Sequence, residues 1–273
     1  MASADTGGAS SFAAELRAQR TARGWTQVEL GKRIGYSGSF VSDVERGERA
    51  PSDDFAQRCD EAFGLPGTLA RLYQDLRRNA YPPFFAPVLP HEREADRING
   101  WCLGPVPGLL QTERYARSII RAGRPRDDEE SIQRTVDARM ERQEILARPR
   151  PPLLWCVMHA GVLRNVVGGQ EIMGEQVGKL IKAAETPGIV LQVLPFTAND
   201  QAGIEGPMWI FERPGGPAVA YTECYGGGRL IEAQDEVADL TLVMGMLRAA
   251  ALPPRESLHL MQAIRRDLDG QLA

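Results

Sequence analysis

The run YPPFFAPVLP at 81–90 constrains the fold of this chain more than any other stretch, with four prolines in ten residues. Each proline removes a backbone donor and holds its predecessor extended, so no helix continues through the run. It separates roughly 80 residues from roughly 190, and a 273-residue chain already exceeds the usual size of one domain. The expected organisation is a disordered tail at 1–10, one domain at 11–80, a proline-rich linker at 81–90 and a second domain at 91–273.

Hydrophobic residues make up 43% and charged residues 25%, which is material for ordinary packed cores. No apolar run approaches the roughly 18–20 residues that span a membrane. MASADTGGAS lacks the basic and apolar segments of a signal peptide. Cys59, Cys102, Cys156 and Cys224 lie 43, 54 and 68 residues apart, so no CxxC metal or redox motif exists. These features point to a reduced, cytoplasmic protein with no membrane, cofactor or metal. The net charge of −4 excludes a uniformly basic protein, but it leaves a local nucleic-acid surface open because charge acts by patch.

Residues 11–80 read as five short helices. The first runs over 11–23 with Phe12 and Leu16 on one face, and Gly24 stops it. Thr26-Gln-Val-Glu29 is a capping box for a second helix, which turns Leu30 and Ile34 inward and ends at Gly35. Ser37 caps a third, carrying Val41 and Val44 inside, and Ser52 a fourth, carrying Phe55, Cys59 and Phe63. A fifth covers 68–78 with Leu69, Leu72 and Leu76. Trp25 belongs to the core. Short helices with a tight turn between the second and third predict an all-α helix-turn-helix domain.

The stretch 26–51, with TQxxL at Thr26–Leu30, Gly35 in the turn, VSxxExG at Val41–Gly47 and a closing Pro51, resembles the phage-repressor-type (Xre) helix-turn-helix family. The resemblance covers roughly 12–75. It implies that the third helix enters a major groove, with Ser37, Gly38, Ser39 and Asp43 at the base edges and Gln27 and Arg49 on phosphate. The outer face of that helix also carries Ser42 and Arg46, and Phe40 sits at its boundary, either against a thymine methyl or packed. Relatives often have a long amide side chain where this chain has Gly38, so direct readout is thin and DNA shape must supply the rest. Matching positions in the family form an ion pair between helices one and three, which falls here on Arg20 and Glu45. Arg17 and Arg23 read as solvated faces. Residues 1–80 hold 11 basic and 11 acidic residues, a weak electrostatic footprint, so dimerisation over two half-sites is expected to raise affinity.

Residues 91–273 mix helices and strands: one long helix over 128–148, a strand at 153–158, a helix at 169–185 and a strand at 189–194. A hairpin at 207–213 and 218–225 turns at Pro214-Gly-Gly-Pro217, and helices follow at 235–250 and 257–268. The pattern predicts a larger α/β or α+β domain. Its segments VPGLLQTERYA (106–116), RMERQEIL (139–146), VLRNVVGG (162–169), MGEQV (173–177), QVLP (192–195), YTEC (221–224) and LRAAALPPRES (247–257) occur in order. Together they resemble the C-terminal domain of WhiJ-like, antitoxin-like actinomycete regulators. That resemblance implies a transcription factor whose second domain receives a signal or a small protein encoded beside it, with no enzymatic reaction. His159-Ala160 stands where relatives often carry an acidic pair.

Enzyme motifs are weak. His91, His159 and His259 do not pair at metal-ligand spacing, and only His159, at a strand end, is worth following. GEQVGK at 174–179 is one residue short of a phosphate loop and lies inside a helix, while Gly226-Gly-Gly228 reads as a flexible turn. The remaining candidate surface is Pro107, Gly108, Leu109, Leu110, Gln111 and Thr112, a break before a Thr112-capped helix. It is either a buttressed structural turn or a partner- or effector-binding loop. The expected function is a dimeric, nucleoid-associated, sequence-specific regulator binding a double-stranded operator. The alternatives are a type II antitoxin that neutralises a small toxin and autoregulates, and a DNA-tethered enzyme.

Overall fold

The computed structural model describes residues 7–49, 51–198 and 202–270, and the chain divides into two compact units at 1–83 and 84–273. The first unit is all helical: α1 (Gly7–Ala22), α2 (Gln27–Ile34), α3 (Gly38–Glu45), α4 (Asp53–Phe63) and α5 (Thr68–Ala80). Phe12 and Leu16 from α1 meet Leu30, Ile34, Val41, Val44, Phe55, Cys59, Phe63, Leu69 and Tyr73 in one core. Trp25 lies half-buried at its edge, stacked on Phe63 with ring centroids 5.7 Å apart. Helix α1 begins at Gly7, so residues 7–10 of the stretch expected as a disordered tail are helical; residues 1–6 lie outside the described residues.

The second unit is a mixed α/β structure. Its strands are β1 (Arg97–Cys102), β2 (Leu153–His159), β3 (Ile189–Leu194), β4 (Met208–Glu212), β5 (Val219–Cys224) and β6 (Gly227–Ile231), in the order β3-β2-β1-β4-β5-β6. β1 pairs in parallel with β2, and β2 with β3; β1–β4, β4–β5 and β5–β6 are antiparallel. One face of the sheet joins a core with α10 (Gln170–Ala184) and α12 (Pro254–Gly270). The other face packs on α11 (Gln234–Ala250) through Val237, Met244 and Leu247. Between β1 and β2, α7 (Glu113–Gly123) and α8 (Glu129–Arg142) pair over a small cluster of Ala116, Ile120, Ile132 and Val136.

Several sequence expectations need correction. The helix expected over 128–148 stops at Arg142 and continues as a 3₁₀ turn, Gln143–Ala147. The proline run is no free spacer: Phe84 and Phe85 pack on the second core, and α6 (Val88–Glu94) starts inside the run. Pro90 is accommodated there because first-turn amides have no acceptor within the helix. Strands β1 and β6 and the short helix α9 (Ala160–Arg164) have no counterpart in the sequence reading. Gly227 and Gly228, read there as part of a flexible turn, are strand residues.

Candidate nucleic-acid interface

Local chemistry builds the turn between α2 and α3. Thr26 caps α2: the Glu29 amide donates to Thr26 Oγ1 (3.1 Å), and the Thr26 amide donates to Glu29 Oε2 (2.7 Å). The Thr26 amide and the Thr26 hydroxyl (2.9 Å), both donating to Glu29 Oε2, hold the Glu29 carboxyl below its ordinary range. Gly35 closes α2 with φ at 76°, a left-handed conformation suited to glycine. Gly31 makes the turn possible in a second way. A Cβ there would come within 2.6 Å of the Tyr36 carbonyl oxygen, so no larger residue fits beneath the returning chain. In the sequence, only the place of Gly31 one turn before Gly35 hints at this role.

Ser37 then caps α3 by accepting from the Phe40 amide (3.1 Å), and its hydroxyl also bonds Ser39 Oγ (2.9 Å). Both serines are exposed. Gly38 sits against α2, where a Cβ would meet Val28 Cγ2 at 2.7 Å, so its contribution is close helix packing. Phe40 is half-buried in an aromatic group, 4.8 Å from Tyr36 and 5.2 Å from Phe55 by ring centroids. The Arg49 guanidinium covers the Phe40 ring at 4.4 Å. Packing therefore occupies the ring that the sequence offered to a thymine methyl.

Beneath this surface Arg20 grips Glu45 in two parallel bonds, Nε to Oε1 (2.5 Å) and Nη2 to Oε2 (2.9 Å), and donates a third to the Trp25 carbonyl (2.7 Å). Gln27 Nε2 donates to the same Glu45 Oε2 (2.9 Å), so its amide is engaged inside the domain. The side chains of Arg20 and Glu45 are only 11% and 3% exposed. Burial alone would raise the Glu45 pKa, but hydrogen bonds from Arg20 and Gln27 and the charge of Arg20 bring it below the ordinary value.

The end of α3 is self-neutralised. Arg46 donates to Asp43 Oδ1 (2.6 Å) and Glu48 Oε2 (2.7 Å), and also to Ser42 Oγ. Bonding to Glu48 raises the Arg46 pKa. Arg33 lies over Trp25 at 4.2 Å, and Lys32 beside it is exposed with no hydrogen-bond or ion-pair partner among the described residues. The structure thus brings Ser37, Ser39, Ser42, Asp43 and Arg46 together on one helix. Lys32 was missed, although a lysine in the last turn of α2 was visible in the sequence.

The 107–112 segment of the second unit turns inward. Gly108–Leu110 form a 3₁₀ turn, and every residue of the segment except Gly108 is buried. Gln143 Nε2 donates to the carbonyls of Gly108 and Gln111 (2.9 Å each), and Lys179 Nζ to the Gln111 carbonyl (2.8 Å). Gln176 donates to the Leu110 carbonyl and accepts from the Thr112 amide, both at 2.7 Å. Arg139 donates to Gln111 Oε1 (2.8 Å). The geometry is that of a buttressed structural turn, because buried and mutually satisfied groups leave a partner little to touch. Lys179 of GEQVGK is spent on this turn, inside α10. His159 is equally structural: its Nδ1 caps α9 by accepting from the Gly161 amide (3.1 Å). Among the described residues no three His, Cys, Asp or Glu side chains gather as metal ligands, and no single helix is long and apolar enough to cross a membrane.

Two family models match. Residues 11–72 match one described as a helix-turn-helix domain, and residues 85–263 match one described as a domain of unknown function, DUF5753. No curated protein and no solved structure matches the chain.

Proposed function

Since the chain belongs to the DUF5753 family and carries a helix-turn-helix domain ahead of it, we propose that it is a sequence-specific transcriptional regulator, not an enzyme. In this reading it binds operator DNA as a homodimer, and its DUF5753 unit receives an effector or a small partner protein. The observation that carries the DNA half is the exposed, Ser37-capped start of α3, with Ser39 presented and Gly31 and Gly38 fixing the angle of the two helices. Xre-like groove entry and a WhiJ-like receiving domain are the finer form of the same proposal.

Bases are then read by Ser39 and by the Asp43–Arg46 group, after Arg46 exchanges a carboxylate for a phosphate. Half-site spacing is set by the dimer, and a ligand shifts it only through unequal affinity for two states. Electrophoretic retardation on DNA upstream of the chain's own gene tests this. A specific shift is expected, weakened by Ser39→Ala and, through loosening of Glu45, by Gln27→Ala. Unchanged specificity in both variants would remove α3 from the interface. Toxicity of a small neighbouring protein, relieved by this chain, would move the reading to an antitoxin.

A further inference from the structure

A cavity of about 790 Å³ opens between α11 and the antiparallel half of the sheet, closed on one side by residues 202–207. Its volume falls within the range of small-molecule sites. Met208, Ile231, Leu240 and Val243 give it apolar walls. Among the described lining residues, Glu205, Glu223, Glu236 and Asp239 add four carboxylates, against the single guanidinium of Arg229. Arg229 is already committed, since its Nη2 donates to Glu236 Oε1 (2.7 Å). Neither Glu205 nor Asp239 has a hydrogen-bond or ion-pair partner among the described residues, and Ile204 at the cavity is 66% exposed.

From this combination we infer that the cavity is a binding site for an amphiphilic organic cation, an apolar body carrying a protonated amine. The inference rests on the reading of the DUF5753 unit as the receiving domain and gives that unit a ligand class. An apolar tail removes the cavity walls and Ile204 from water. Its ammonium meets Glu205 and Asp239, where Arg229, the one cation among the described lining residues, is already paired. An anion of the same shape meets the same carboxylates with the wrong sign. A neutral body keeps the tail contacts and forgoes the charge.

Calorimetric titration of the full chain with octylamine, octanol and octanoate separates these terms, because the three probes share one tail. Octylamine is expected to bind saturably and about tenfold or more tighter than octanol, with octanoate weakest, as complementary charge at a partly desolvated mouth requires. The double variant Glu205→Gln/Asp239→Asn should bring octylamine down to the octanol level and leave octanol unchanged. Leu240→Trp should narrow the apolar part of the cavity and weaken both. Equal binding of the three probes, preference for octanoate, no saturable binding, or octylamine binding that survives the double variant would each overturn the inference. If Leu240→Trp fails to fold, the surface double variant still decides. Retardation of the upstream DNA is measured in parallel without probe: loss there sinks the regulator reading, while intact retardation with failed octylamine binding sinks only the cavity.

Discussion

Both units contain a buried arginine–glutamate pair among the described residues, and the two pairs behave in opposite ways. Arg20–Glu45 and Arg142–Glu92 are nearly equal in burial, with side chains 11% and 3% exposed in the first and 11% and 4% in the second. Glu45 accepts two aligned bonds from Arg20 and one from Gln27, and its pKa falls. Glu92 has Arg142 Nε 2.8 Å away but not aligned as a hydrogen bond. Burial raises its pKa against the charges of Arg142 and Arg139. Proximity of charge does not by itself offset the burial of a carboxylate; aligned donors tip the balance.

The largest expected effect tests that contrast directly. Arg20→Ala should destabilise the first unit by about 3–5 kcal/mol, because it strands a carboxylate built to be charged. Arg142→Ala should lower the stability of the second unit by a smaller amount, about 1–3 kcal/mol, because Arg142 Nε makes no hydrogen bond to Glu92 that the change would remove. Urea unfolding of both variants measures this, and equal losses would break the comparison.

Next comes the turn. Gly31→Ala drives a methyl at a backbone carbonyl, and about 1–3 kcal/mol of stability should go with it. Gly38→Ala meets the Val28 side chain and backbone and should behave alike, with DNA retardation falling in both variants because the angle between α2 and α3 changes.

Acid titration sharpens the difference in sign. Glu45 is depressed in the folded state, so its contribution is complete above the unfolded carboxylate value of about 4.3 and is lost as pH falls through its lower folded value. Glu92 is raised, so its contribution is present below about 4.3 and is lost as pH climbs through its higher folded value. Urea midpoints from neutral to acid pH should therefore lose opposite slopes in Glu45→Gln and Glu92→Gln. The same slope in both would refute the assignment.

The smallest effect concerns a surface pair. Glu48→Gln should leave stability unchanged and tighten DNA binding roughly 2–5-fold, the order of one exposed ion pair. It should also steepen the salt dependence by about 0.9 in log–log slope, since Arg46 becomes available to a phosphate. Retardation assays across a salt series read both quantities.

The two units also differ in what their residues disclosed. Caps, inward pairs and stop glycines of the first unit act within a few residues of one another, so the helices around Thr26, Ser37 and Ser52 were legible one by one. Strand β1, RINGWC, was not. Asn99 and Gly100 are poor strand formers, and the strand exists because β2 and β4 flank it. Gly100 is needed there because the Trp209 ring lies where a Cβ would stand, 2.4 Å away. The same holds for Gly228 in β6, which lies under the Tyr221 hydroxyl. Site residues followed the same rule. The caps at Thr26 and Ser37 are local and visible, whereas the Gln27 amide is claimed by Glu45, 18 residues away. The inward turn of 107–112 depends on Gln143, Gln176 and Lys179, far along the chain.

Strand β1 joins the parallel half of the sheet to the antiparallel half, with partners beginning at Leu153 on one side and at Met208 on the other. During synthesis β1 therefore waits for more than a hundred further residues before both its edges are satisfied. The helix-turn-helix unit draws its core from the first 73 residues and closes long before that. A ribosome making this protein completes the helix-turn-helix unit while the second unit is still an open sheet.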